Sequence, residues 1–108
     1  MKHPLEGAIL CRSGWSKFRG LMLSRRRTLV FAFDRDEHVP LHMLFVFFPI
    51  DVLYLDGEKR VVEVKRNFRP FTFYSPKNKA RYVVEIPERT DIKVGDSISW
   101  GRRDLNPD

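Results

Sequence analysis

The stretch PIDVLYLDGEKRVVEV, residues 49–64, decides the fold class. β-Branched, aromatic and aliphatic residues fill both of its arms, and such residues suit a pleated, half-buried surface. Between the arms stands Asp56-Gly57, a pair that tight hairpins favour because glycine accepts a positive φ. The spacing predicts a β-hairpin over 50–66, with that turn setting the register. On the first arm, Ile50, Val52 and Tyr54 share one face and Asp51, Leu53 and Leu55 the other. Both faces are apolar, so this strand is expected at the centre of a sheet or inside a barrel. On the second arm Val62 and Val64 alternate with Glu63 and Lys65, the pattern of a strand with one wetted face.

Asp51 is the exception in a run, HMLFVFFPIDVLYLD over 42–56, that is otherwise almost wholly hydrocarbon and ring. A buried carboxylate must accept hydrogen bonds, pair with a cation or take up a proton. Three readings are open. Asp51 caps backbone N–H groups after Pro49 or pairs with an arginine such as Arg19; it lines a pocket as acid, base or ligand anchor; or the strand end is exposed. The run is too short for a bilayer, which takes about 20 apolar residues in a helix, and Pro49 and Asp51 interrupt it, so no membrane span is expected.

Further strands are expected over 28–33, 41–47, 71–74, 80–86 and 96–100, parted by turn signals such as FDRDEH, DGEK, SPKNK and PERTD. A short apolar run over 6–12 precedes them. In GWSKFRGLM, Trp15, Phe18, Leu21 and Met22 recur at helical spacing, which predicts one short helix. The expectation is a mainly β fold, a small antiparallel β-barrel or two-sheet sandwich with one short α-helix. At 108 residues the chain is a single domain, its ordered core over about 6–100 and its tail over 101–108 frayed.

The chain carries a formal net charge of +6, which draws anionic partners in a salt-sensitive, unspecific way. Its one cysteine, Cys11, can form no internal disulfide, and the N-terminus lacks a signal-peptide core, so a cytoplasmic setting is expected. Glutamine is absent while Arg, Lys and Glu abound, a balance found in hyperthermophile proteins.

No catalytic constellation is legible. The serines lack a G-x-S-x-G setting, no glycine-rich phosphate loop exists, and His3, His38 and His42 lack metal-ligand spacing. No metal site and no cofactor are therefore expected. Two basic clusters remain. Arg12, Lys17, Arg19, Arg25, Arg26 and Arg27 occur without an acid between them, and KRNFRPFTFYSPKNKARY over 65–82 interleaves cations with aromatics. Core packing with solvated charge is one reading of the second cluster. The other is a nucleic-acid surface built from Arg25, Arg26, Arg27, Lys65, Arg66, Arg69, Lys77 and Lys79.

GLM at 20–22, LVFAF at 29–33, Met43, PIDVLYLD at 49–56, RVVEV at 60–64, ARYVVEIP at 80–87 and KVGD at 93–96 together resemble the uncharacterised family catalogued as domain of unknown function 192. The resemblance implies a compact, barrel-like β domain with a short helix and no assigned activity. This chain departs from the pattern at Leu44, Phe45, Val46, Phe47 and Phe48, where bacterial relatives carry a polar turn. If exposed, residues 44–47 form a contact for a second copy or another partner; otherwise they continue a core strand. The combined reading is a non-catalytic ligand-binding or interaction module. Its pocket is expected where Arg19, Met22, His42, Asp51 and Arg81 could meet, with an anionic ligand or nucleic acid as partner. A basic nucleic-acid-binding protein is the first alternative and a small enzyme centred on Asp51 the second.

Overall fold

The IDVLYL arm does become an interior strand of the main sheet, in a computed structural model that describes residues 1–5, 7–11, 28–39, 41–42, 49–70 and 72–100. The strands are β1 (Lys2–Leu5), β2 (Ile9–Cys11), β3 (Leu29–Glu37), β4 (Leu41–His42), β5 (Ile50–Leu55), β6 (Val61–Phe68), β7 (Phe73–Tyr74), β8 (Ala80–Ile86) and β9 (Ser97–Trp100). The main sheet has the order β2-β3-β8-β5-β6, and β1-β9 and β4-β7 form two small sheets. The protein is mainly β, and no helix occurs among the described residues. The helix expected around residues 15–22 lies outside them.

Every residue of β5 is buried. Ile50, Val52 and Tyr54 join Leu29, Phe31 and Val83 in one apolar cluster. Leu53 and Leu55 join Val30, Val84, Ile92 and Ile98 in a second, on the opposite face. The expected division of faces is therefore correct, and it requires cover on both sides of the sheet. The β1-β9 pair supplies it on one side through Leu5, Ile98 and Trp100. On the other side Tyr74 of β7 packs on the first cluster. The packing is sheet upon sheet, as in a sandwich, and among the described residues no barrel closes.

Several expectations need correction. The sheet is mixed: β2 runs parallel to β3, and β1 parallel to β9. Strand β1 was not foreseen, because Pro4 interrupts it; on a sheet edge the missing N–H costs little. The FDRDEH segment is no turn. Strand β3 continues to Glu37, with a register shift that sets residues 33–36 opposite the single residue between Ala80 and Tyr82.

The hairpin exists, but Gly57 does not carry its left-handed residue. Lys59 does, at φ 64°. The turn is held by Asp56, whose Oδ1 accepts N–H bonds from Glu58 and Arg60, each at 2.9 Å. The Lys59 N–H closes it on the Asp56 carbonyl at 3.0 Å. A turn ending in a left-handed residue feeds a bulge, and pairing steps from Leu55↔Val61 to Tyr54↔Glu63, leaving Val62 as the extra residue. Val62 therefore packs on one cluster and Val64 on the other, which corrects the simple alternation expected for this arm. Glu63 turns inward beside Tyr54, only 9% exposed.

Asp96 joins β1 to β9. Its Oδ2 lies 2.8 Å from His3 Nε2 and accepts the Lys93 N–H at 3.1 Å. The His3 bond, then the Lys93 bond, hold its carboxyl down at about 2.

Asn67 is the second non-glycine residue at positive φ, 52°, and it is exposed. Asn67→Gly is expected to melt within a degree or two of the parent. Asn67→Val, β-branched at a left-handed position, should lose about 1–2 kcal/mol in denaturant unfolding. Equal stability of the two variants would refute the strain argument.

Candidate functional site

Asp51 sits on β5 opposite Ile86, 4% exposed. Its Oδ1 accepts the N–H of Asn67 and its Oδ2 that of Thr90, each at 2.9 Å. Arg66 Nη1 lies 3.7 Å from Oδ2. The capping role is the one this geometry supports, and the nearby arginine is Arg66 of β6. Arg66 also donates to the carbonyls of Thr90, at 2.6 Å, and Ile92. One carboxylate thus ties the end of β6 to the segment leading into β9.

Of the expected constellation, the two residues whose side chains are described, Asp51 and Arg81, are not brought together. Leu55 pairs with Tyr82 while Asp51 pairs with Ile86, so Arg81 and Asp51 stand at opposite ends of the β5-β8 ladder, roughly 16 Å apart along the strand. Arg19 and Met22 lie outside the described residues, as do Arg25, Arg26, Arg27 and the segment 44–47. His42 is in β4, and its side chain is not described.

The aromatic-rich basic cluster proves partly structural. Phe68 is 1% exposed, and Tyr74 packs on the same core while its hydroxyl donates to Glu63. The Lys65 ammonium lies 5.4 Å from the centroid of Tyr74. Arg69, Lys77 and Lys79 are exposed.

Two further carboxyls of the main sheet are buried: Glu63, expected on the wetted face of its arm, and Glu85. Glu63 accepts N–H bonds from Lys77 at 3.0 Å and Asn78 at 2.9 Å, as well as the Asn78 side chain and the Tyr74 hydroxyl. Burial pushes its carboxyl up, but the bonds from Tyr74, Asn78 and Lys77 outweigh it and hold the group below the usual value. Glu85 of β8 faces the same side, between Leu29 and Val52. It is 8% exposed, and among the described residues no hydrogen bond or ion pair reaches its carboxyl. Burial pushes it up to about 7. The only sequence signal was one acid inside VVEI, which looks like a solvated position until β8 is known to be covered on both faces.

One open feature of the surface among the described residues is a cleft of about 210 Å³, lined by Leu10, Ala32, Phe33, Asp34, Lys59, Arg81, Tyr82 and Trp100. It follows from the two irregularities already described. The β3 excursion carries Phe33 and Asp34 outward, and the left-handed turn aims Lys59 at β9. Tyr82 meets Trp100 edge to face, with centroids 5.1 Å apart. The Lys59 ammonium lies 4.3 Å from the centroid of the Trp100 ring. Arg81 is oriented by one bond, from Nε to Asp36 Oδ1 at 3.1 Å. Cations beside partly buried rings can hold a small anion, and the rings can receive a flat group. Of the expected site residues that are described, Arg81 lines this cleft. Among the described residues no group of His, Cys, Asp and Glu could hold a metal ion.

The model of the family called domain of unknown function 192, described as an uncharacterised ACR, matches residues 7–100. A UPF0127 protein of Thermococcus sibiricus is 37% identical over 94 residues, 80% of this chain and 60% of the relative. One from Thermococcus gammatolerans is 39% identical over 92 residues, 78% of this chain and 60% of the relative. One from Pyrococcus furiosus is 36% identical over 93 residues, 80% of this chain and 79% of the relative. The chain thus spans 60% of the length of these Thermococcus relatives. A crystal structure of a protein of unknown function from Novosphingobium aromaticivorans aligns with TM-score 0.71 at 22% identity, over 83% of this chain and 71% of that one. A putative transcription regulator from Sinorhizobium meliloti aligns with TM-score 0.64 at 21% identity, over 74% of this chain and 67% of that one. At such identities the likeness to both structures is one of fold alone.

Two outcomes follow for the buried carboxyls. Asp51→Asn replaces an acceptor with an NH₂ group facing a backbone donor, so it should cost about 1–3 kcal/mol, read as a drop in melting temperature; unchanged melting would remove the capping role. Glu85 has a folded pKa above its unfolded value of 4.5. Its contribution is therefore fully present below about 4.5 and is lost as pH rises through about 7. Glu85→Gln should flatten the fall in stability across that window and leave the variant more stable at pH 8, by on the order of 3 kcal/mol. A parent and a variant with parallel pH profiles would contradict this.

Proposed function

The chain belongs to the uncharacterised family known as domain of unknown function 192, and from that premise we propose that it is a non-catalytic binding module taking a small anionic ligand. The observation that carries this reading is the cleft in which Lys59 and Arg81 stand beside Tyr82 and Trp100. An ammonium and a guanidinium lining one cleft give an anion two charge-assisted donors, and partly sheltered donors bind more strongly than solvated ones. The net charge of +6 adds long-range attraction for the same ligands.

The enzyme alternative is the weaker reading at Asp51, which is 4% exposed and whose two oxygens each accept a backbone N–H bond, whereas a general base must come within hydrogen-bond reach of the proton it takes. A cytoplasmic setting belongs to the proposed reading, since a single cysteine suits a reducing compartment. Among the described residues no helix is long and apolar enough to cross a membrane.

The test is a thermal-shift titration of the full chain with inorganic phosphate, pyrophosphate and citrate, beside Lys59→Asn and Arg81→Gln. Asparagine tolerates the left-handed backbone at Lys59, so that variant removes the charge without adding strain. At a hundredfold excess over Kd a bound anion should add about 2.7 kcal/mol of stability. That gain should fall at least tenfold in affinity terms in each variant. No shift with any anion, or a shift that both variants retain, would overturn the reading.

A further inference from the structure

We propose that the cleft receives a nucleotide unit whose base carries an amino group, the base against Trp100 and the phosphate on Lys59 and Arg81. This inference rests on the reading of the cleft as an anion site and makes it more specific.

The lining holds three chemistries at once: rings, cations and one acid. A bare anion would use only the cations. The aromatic wall calls for a flat partner. Tyr82 meets Trp100 with its ring tilted by 67°, so the two rings brace rather than cover each other. What lies over the Trp100 ring is the Lys59 ammonium. A lysine head on a flexible four-carbon stem can swing aside for a flat ring and still reach an anionic group attached to that ring. Base-on-aromatic stacking of this kind contributes about 1–3 kcal/mol per base.

Arg81 is set for the anionic part. Asp36 holds its Nε, a bond that does not use the terminal Nη donors, and Arg81 lines the cleft. Guanidinium donors in a fixed fork match phosphate oxygens.

Asp34 then selects the base. Its carboxylate repels anions and accepts N–H donors, so the ligand must bring donors to that side of the cleft. Adenine, cytosine and guanine carry exocyclic amino groups; uracil presents carbonyl acceptors in the matching places. A purely cationic ligand is disfavoured in turn by Lys59 and Arg81. The cleft volume of about 210 Å³ is below the ~300 Å³ at which enclosed small-molecule sites begin, so part of the ligand stays in solvent. A free nucleotide and a nucleotide within a single strand share this chemistry.

The experiment is isothermal titration of the full chain with AMP, CMP, UMP, ribose 5-phosphate, inorganic phosphate, and octamers of rA and rU at two salt concentrations. AMP and CMP should bind at least about tenfold more tightly than UMP and ribose 5-phosphate. Trp100→Ala should lose that advantage. Asp34→Asn, at an exposed position that does not endanger folding, should bring UMP within about threefold of AMP. An rA octamer matching AMP identifies a free-nucleotide site. An octamer far tighter than AMP and steeply weakened by salt identifies a single-strand site. Either supports the proposal. If UMP and ribose 5-phosphate bind as well as AMP, base recognition is overturned while the anion site stands. If none of the compounds binds, phosphate included, both fall.

Discussion

A strand that is apolar on both faces can sit stably only between two flanking strands and beneath cover on both sides. Strand β5 is such a strand, and the rest of the molecule is arranged around that requirement. Its six residues are buried, with β8 on one side and β6 on the other. Each large side chain removed from water contributes about 1.5–3 kcal/mol, which is lost wherever a face stays open. The small β1-β9 sheet covers one face, and Tyr74 of the β4-β7 pair packs on the other. Asp51 is a consequence of the same position. A carboxylate held at the end of a covered strand needs donors, and two backbone N–H groups supply them, one of them 39 residues away at Thr90. The loop before β9 is thereby fastened to the sheet, and Arg66 fastens it again through two carbonyls.

Glu63 and Glu85 show how little burial alone says about a charge. They face the same side of the sheet at nearly equal exposure, 9% and 8%. Glu63 is ringed by donors from residues 74–78 and stays below the usual carboxylate range, whereas burial, with no such donor among the described residues, lifts Glu85 to about 7. The difference lies in the partners. Neighbouring charge also reaches Tyr54, whose phenol is pushed up first by burial and then by Tyr74, Glu63 and Glu85. The hydroxyl keeps its proton and donates to the Val39 carbonyl at 3.3 Å, so the core strand anchors the loop after β3.

The cleft arises from departures from ideal pairing. A regular β3-β8 ladder would close over Arg81, and a two-residue turn would not direct Lys59 toward β9. The excursion of residues 33–36 and the left-handed Lys59 open the space and furnish its polar groups. Bulges recur at such places because they re-aim side chains without dismantling the sheet. The putting together of cations, rings and one acid supports the binding reading, and the relatives from Thermococcus and Pyrococcus fit the glutamine-free, Lys/Arg/Glu-rich composition.

Strands β5 and β8 were legible to the residue, over Ile50–Leu55 and Ala80–Ile86, and so were the two faces of β5 and the need of Asp51 for partners. These are properties of neighbouring residues, written in a period of two. Strand β1 escaped because Pro4 breaks its pattern, and the β3 extension because a charged run at an exposed strand end reads like a turn. Which arginine approaches Asp51, why Glu63 is sheltered, and how Arg81 comes to stand by Lys59 and Trp100 were decided only by the tertiary structure. Each depends on a register shift or a contact between segments far apart in the chain, and local periodicity carries no record of which distant segment will supply the hydrogen bond or the cover.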